Sequence, residues 1–374
     1  VSPADQSQPS VIDWAVAERV AAWTASRSKA PVSYESATMQ ADFDELTARA
    51  EGLVAESTGL HPSAGPTRGR VIDRPGWVSV NVSSFQRLLG PTLEKLAERK
   101  KPSVLASLPG WVENGANGVG RSMSGAQLGF VLGWMSTRVL GQYDLLLSDD
   151  SAAEQDVVYF VGPNVAALER KFGFQPKEFR LWLALHEVTH RFQFTGVPWL
   201  GSYFRSLVDQ GLEPLAADPR RMLDAVRRAA DEIRAGRSPL EDAGVIGLVA
   251  GPEQLEAIRR IQALMSLLEG HGDVTMDRAG AEAVPGAKRF SAVLHARREQ
   301  TRGPARLLQQ LLGIEAKFRQ YAEGERFIRA VEEAGGPGLL SRVWQGPEWL
   351  PTMAEIRDPL RWVARVDGTT AIAG

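Results

Sequence analysis

The 374-residue chain contains no cysteine, which removes disulfides, thiolate metal sites and cysteine nucleophiles together. Any metal it binds must therefore be held by nitrogen and oxygen. The absence also fits a reducing compartment, and a cytoplasmic location is expected. Charge of one sign is lacking too: 43 Lys+Arg against 45 Asp+Glu leave a net charge of −2. Nothing in that balance favours nucleic acid or an anionic membrane as partner. Long apolar runs are missing as well. The longest, Ala126 to Met135, is interrupted by Gln127 and is too short for a membrane span. The opening VSPADQSQPS has neither a basic region nor an apolar one, so it does not read as a signal peptide. No internal repeat of solenoid length is visible. With 44% hydrophobic and 24% charged residues, the remainder has the composition of an ordinary globular protein.

Histidine is scarce, with five in the whole chain, yet two of them fall in one five-residue pattern. His186-Glu187-Val188-Thr189-His190 spells HExxH within LALHEVTHRFQF. Chance alone would produce it in roughly one chain in a few hundred of this composition, so the pattern carries weight. On an α-helix, residues four apart project from the same face, and both imidazoles can reach one metal ion. Glu187, beside the first histidine, can then serve as base for a water on that metal. His61, in a Pro/Ser/Gly-rich loop, and His295 read as solvated side chains.

Two histidines do not complete a catalytic zinc site, which needs a third protein ligand and an open position. The pattern with a third histidine six residues after the second is excluded, because that position is Gly196, and the glycine expected before it is Gln193. A distant carboxylate is the other solution. Glu269 and Asp273 stand four apart in EGHGD and share a face if a helix continues through them. Glu269 could ligate zinc while Asp273 accepts a proton from the second nitrogen of a ligand histidine. His271, Asp273 itself and Asp277 are rivals for the third position. His271 could instead lie near the metal and stabilise a tetrahedral intermediate.

The periodicity along the chain is mostly helical, so the expected class is a predominantly α-helical α+β fold. A mobile tail over residues 1–9 is expected to precede an N-terminal helical part over 10–150 and a catalytic part over 151–374. Helices are expected from Ser10, from Ser36, over Val82 to Arg99, Gln127 to Leu140, Pro176 to Phe194, Trp199 to Leu212, Asp218 to Ala235 and Glu253 to about Glu269. Others are expected over Phe290 to Glu299, Ala305 to Phe318 and Glu325 to Ala334. Gly125, Gly129 and Gly133, spaced by four, would let a second helix approach closely. Arg70 to Arg74 reads as a short strand closed by Pro75-Gly76, and Gly110 to Gly120 as a flexible loop. Asp156 to Val161 is the clearest strand. Its place shortly before the HExxH helix is where zinc peptidases put the edge that pairs with an extended substrate.

Several blocks together carry a resemblance: HEVTHRFQF with VPWL, then LLEGHGDVTMD, then LLGIEAKFRQYAEGERF from Leu311 to Phe327. The chain resembles a family of zincin-type metallopeptidases first flagged through association with deazaflavin-coenzyme biosynthesis in actinobacteria and relatives. The resemblance runs from about Val71 to the C-terminal tryptophans. It implies a zincin-like, largely helical fold with a small sheet beside the HExxH helix. It also implies Zn2+ held by His186, His190 and Glu269, with Glu187 as catalytic base, and Lys317, Arg319 or Tyr321 lining the cleft. The expected activity is zinc-dependent hydrolysis of a peptide or small amide. The competing expectations are a zincin scaffold that binds a partner without turnover, or a zinc that is purely structural.

Overall fold

The computed structural model describes residues 12–27, 36–63, 65–99, 110–143, 156–212, 252–299 and 314–373. The expected tail over 1–9, the expected helix over 218–235 and residues 305–313 of the helix expected over 305–318 lie outside them. What is described is mostly helical, with one three-stranded sheet. Helices α1 (Trp14–Arg27) and α2 (Ser36–Thr58) lead to β1 (Arg68–Ile72), followed by α3 (Arg74–Arg99) and α4 (Gly110–Ser136). Strands β2 (Gly141–Tyr143) and β3 (Val157–Val161) precede α5 (Gly162–Phe172), α6 (Pro176–Gly196) and α7 (Leu200–Leu212). Then come α8 (Pro252–Gly280), α9 (Ala287–Glu299) and α10 (Ile314–Leu340). Two short 3-10 turns and helices α11 (Met353–Arg357) and α12 (Pro359–Ala373) close the chain. Among the described residues no helix is long and apolar enough to cross a membrane.

The chain divides into two units, Val1–Ala48 with Gly65–Ala184, and Arg49–Ala64 with Leu185–Gly374. In the first unit β3 is the central strand, parallel to β1 and antiparallel to β2, and all five of its residues are buried. It therefore has no open edge for a substrate backbone, and that expectation is corrected: both of its hydrogen-bonding sides are already paired. Phe43 of α2 stacks on Phe160 of β3 at 3.8 Å between ring centroids. Arg180 of α6 forms a fork on Glu169 at 2.8 and 2.9 Å and also pairs with Asp42, which fastens the start of α6 to α5 and α2.

Helix α3 begins earlier than the sequence suggests. Trp77 to Asn81 are its first turns, because Asp73 accepts from the Gly76 N–H at 2.7 Å and Pro75 sits in the first turn, a standard start. Gly110 to Gly120 is helical rather than a loop; glycine propensity is a weak prior that context overrides. The glycines further along α4 do let α1 approach. A Cβ at Gly129 would lie 2.3 Å from the Ala17 carbonyl oxygen, and one at Gly125 2.3 Å from that of Asp13.

The second unit has its own apolar core, in which Ala263, Leu267 and Val274 of α8 meet Phe327, Ile328 and Val331 of α10 and Trp362 of α12. Helix α8 runs unbroken through Gly270-His271-Gly272 to Gly280, well past the end expected near Glu269. Helix α10 is likewise longer than the expected Glu325 to Ala334 and kinks at Gly336, whose φ is 73°.

Gly129→Ala should cost on the order of 1–3 kcal/mol, because backbone rather than a flexible side chain stands in the way. Gly52→Ala in α2, where nothing lies within 4 Å, should instead stabilise by roughly 0.5–1 kcal/mol. Denaturant midpoints of the two variants should move in opposite directions, and a shared direction would contradict this packing.

Candidate metal centre

Helices α6 and α8 supply the site, and both lie within the second unit over the residues concerned. His186 and His190 project one turn apart from α6, with their Nε2 atoms 3.2 Å from each other. Glu269 of α8 brings Oε2 to 3.7 Å from His186 Nε2 and 3.6 Å from His190 Nε2. The three residues form the one His/Cys/Asp/Glu group found among the described residues that could hold a metal ion. Four ligands at 2.0–2.1 Å around a tetrahedral zinc stand about 3.3–3.4 Å apart, so a two-nitrogen, one-oxygen triangle of these dimensions fits that ion. The three side chains keep 22%, 15% and 16% of their surface exposed, which leaves solvent a way in. Glu187 is buried beside them, close enough for its charge to act on His190.

Helix α6 is anchored by residues that face away from this triangle. Arg191 is fully buried and pairs with Glu51 at 3.5 Å, while the Thr189 hydroxyl turns back to the Leu185 carbonyl of its own helix at 2.7 Å. On α8 the two glycines around His271 serve different contacts. Gly270 meets Gly324 of α10 so closely that a Cβ on Gly324 would stand 1.9 Å from the Ser266 carbonyl oxygen. Gly272 faces the imidazoles, where a Cβ would lie 3.5 Å from His186 Nδ1 and from His190 Cε1.

The rivals for the third position fall elsewhere. Asp277 is exposed and bonded to Arg329 at 2.8 Å. His271 is buried, with Nδ1 3.0 Å from Gln193 Nε2 and its ring edge-on to Trp344. Asp273 is half-buried one turn beyond Glu269, but the acceptor behind His190 Nδ1 is Gln193 Oε1 at 2.9 Å. The sequence showed Gln193 only as the place where a glycine was missing. Its position three residues after His190, on the same helical face, was the available signal. His61 is exposed, as expected. Side chains of His295, Lys317, Arg319 and Tyr321 lie outside the described residues.

Burial by itself opposes a charge on His190, but the Glu269 carboxylate, with Glu187 and Gln193 adding, pushes its pKa up to about 9. Burial, reinforced by the charges of His190 and Arg278, pushes His271 down to about 3.

A family model described as zincin-like metallopeptidase matches residues 12–363. The chain belongs to this zincin-like family. A crystal structure from Chloroflexus aurantiacus, described as "a putative hydrolase with a novel fold", is similar to this zincin-like chain with 32% identity and a TM-score of 0.69. The similarity covers 95% of this chain and 99% of that one. No curated protein gives a significant match.

Two measurements check the centre. Gly324→Ala must push α10 off α8, so it should cost on the order of 1–3 kcal/mol in denaturant stability and weaken zinc binding in chelator competition; a variant unchanged in both would contradict the contact. Because His190 holds a proton below about pH 9 and must give it up to ligate, zinc binding at pH 7 should release close to one proton. The sign follows directly: affinity strengthens as pH rises towards 9. Calorimetry in buffers of different ionisation enthalpy reads the proton count, and zero release would contradict the assignment.

Proposed function

We propose that this zincin-like protein is a zinc-dependent hydrolase of peptide or small amide bonds, with His186, His190 and Glu269 holding the metal. The observation that carries the reading is the triangle of His186 Nε2, His190 Nε2 and Glu269 Oε2, with edges of 3.2, 3.6 and 3.7 Å. Three protein donors with partial exposure support a catalytic site, since structural zinc sites are closed by four. When bound, zinc would lower the pKa of a water towards about 7 and polarise the scissile carbonyl.

The chain's own residues supply the rest. His186 and His190 offer neutral nitrogen lone pairs, and Glu269 adds a carboxylate charge. Glu187 follows His186 directly on α6, so its carboxylate accompanies the first ligand and serves as general base. It takes a proton from the attacking water and returns one to the leaving amine, which lets the C–N bond break without expelling an amide anion. The family membership and the similarity to the Chloroflexus protein support hydrolysis as the reaction class.

The test is cleavage of a peptide library by the zinc-loaded protein with and without chelator. Wild-type chain should cleave and chelator should stop it. Glu187→Gln should retain zinc and lose activity by about 10²–10⁴-fold, the usual contribution of a positioned base. A Glu187→Gln variant with full activity, or cleavage indifferent to chelator, would overturn the proposal.

A further inference from the structure

The side chain of Gln193 is fully buried and makes three polar contacts that admit a single proton assignment. The Leu268 carbonyl oxygen, 2.9 Å away, can only accept, so the Gln193 atom facing it is the amide nitrogen. Its oxygen is then the atom 2.9 Å from His190 Nδ1. That oxygen can only accept in its turn, so Nδ1 of His190 carries the hydrogen. Once the second proton is given up for the metal, the neutral imidazole keeps this one N–H, and the lone pair of His190 is left on Nε2. This is the nitrogen 3.2 Å from His186 Nε2 and 3.6 Å from Glu269 Oε2. The second amide hydrogen of Gln193 points at His271 Nδ1, 3.0 Å away, which therefore accepts and holds its own hydrogen on Nε2.

We infer that Gln193 is the positioning residue of the metal centre: it sets His190 in the tautomer that offers Nε2, and it ties α6 to α8 at the residue before Glu269. Doing both at once needs an amide. A carboxylate could accept from His190 but would turn lone pairs towards the Leu268 oxygen and His271 Nδ1. An apolar side chain would do neither, leaving the buried Leu268 oxygen and both ring nitrogens without this partner. His271 thereby acts through Gln193 rather than as a ligand, and its ring is held in turn by the edge of Trp344 at 5.1 Å between centroids. Trp344 is fixed from the other side, where its carbonyl accepts from Trp199 Nε1 at 2.9 Å. The order of contacts from Trp199 through Trp344, His271 and Gln193 to His190 makes the tautomer a property of the packed unit.

The inference rests on the metal-centre reading, and the test separates the two. Zinc affinity of the full chain is measured by competition with a chelating dye for wild type, Gln193→Leu and Gln193→Glu. Histidine ring nitrogens of the selectively labelled, zinc-loaded chain are read by long-range 1H–15N correlation. Gln193→Leu should weaken zinc binding by about 10–100-fold, the usual effect of removing the partner behind a ligand histidine. Gln193→Glu, which restores the acceptor but not the donor to Leu268 and His271, should recover part of that loss. In wild type, His190 should show a hydrogen on Nδ1 and ligation through Nε2. Unchanged affinity in Gln193→Leu, or ligation of wild-type His190 through Nδ1, would overturn the inference. If Gln193→Leu does not fold, the wild-type spectrum decides. If wild type binds no zinc, the metal-centre reading fails, and the role of Gln193 is read from metal-free His190 above pH 9, where the ring is neutral and a hydrogen on Nε2 in place of Nδ1 would overturn it.

Discussion

Three electron-pair donors within 3.7 Å of one another repel unless a cation sits among them, and the second unit is arranged around meeting that condition. Without metal the cation is a proton, which is why His190 is pushed up to about 9 beside the Glu269 carboxylate. With zinc the same three atoms share a larger charge. Holding such a cluster takes rigid support, since side chains left to relax would simply separate. That support comes from α6, locked by the pairing of buried Arg191 with half-buried Glu51, and from α8, pressed against α10 where Gly270 and Gly324 meet. The glycine contact sets how deeply α8 lies, and so how far Glu269 reaches.

How much of this could be read from residues alone depended on whether the signal was local. His186, Glu187 and His190 were legible because helical geometry puts positions four apart on one face. Glu269 could be named as one of several candidates, since nothing local distinguishes it from Asp273 or Asp277. What separates them is the packing of α8, which turns Glu269 to the histidines and Asp277 to Arg329. The glycines beside His271 left the continuation of the helix open, yet Gly270 is required by the close approach of α10, while Gly272 faces the imidazole rings, where a Cβ would make an ordinary contact. Glycine inside a helix costs about 1 kcal/mol relative to alanine, a cost that dense packing offsets.

The errors elsewhere have the same origin. The strand Val157–Val161 was recognised, but pairing on both sides made it central, and edge or centre is a property of its neighbours. The helix expected over Val82 to Arg99 starts earlier, because the Asp73 cap draws Trp77 to Asn81 into its first turns. Gln193 was hidden for a different reason. A glutamine in a helix is unremarkable until its three partners, from His190, Leu268 and His271, are assembled around it. The chemistry of the centre is thus set by one short motif, while its completion and proton arrangement depend on contacts far apart in the chain.

The central claim is that α8 completes the motif through Glu269. Anomalous diffraction at the zinc edge, from crystals grown with zinc, tests it most directly. The account predicts one strong peak within about 2.0–2.2 Å of His186 Nε2, His190 Nε2 and a Glu269 carboxylate oxygen, with no fourth protein ligand. A peak held by the two histidines and His271 or Asp273 in place of Glu269, or no peak between α6 and α8, would contradict it.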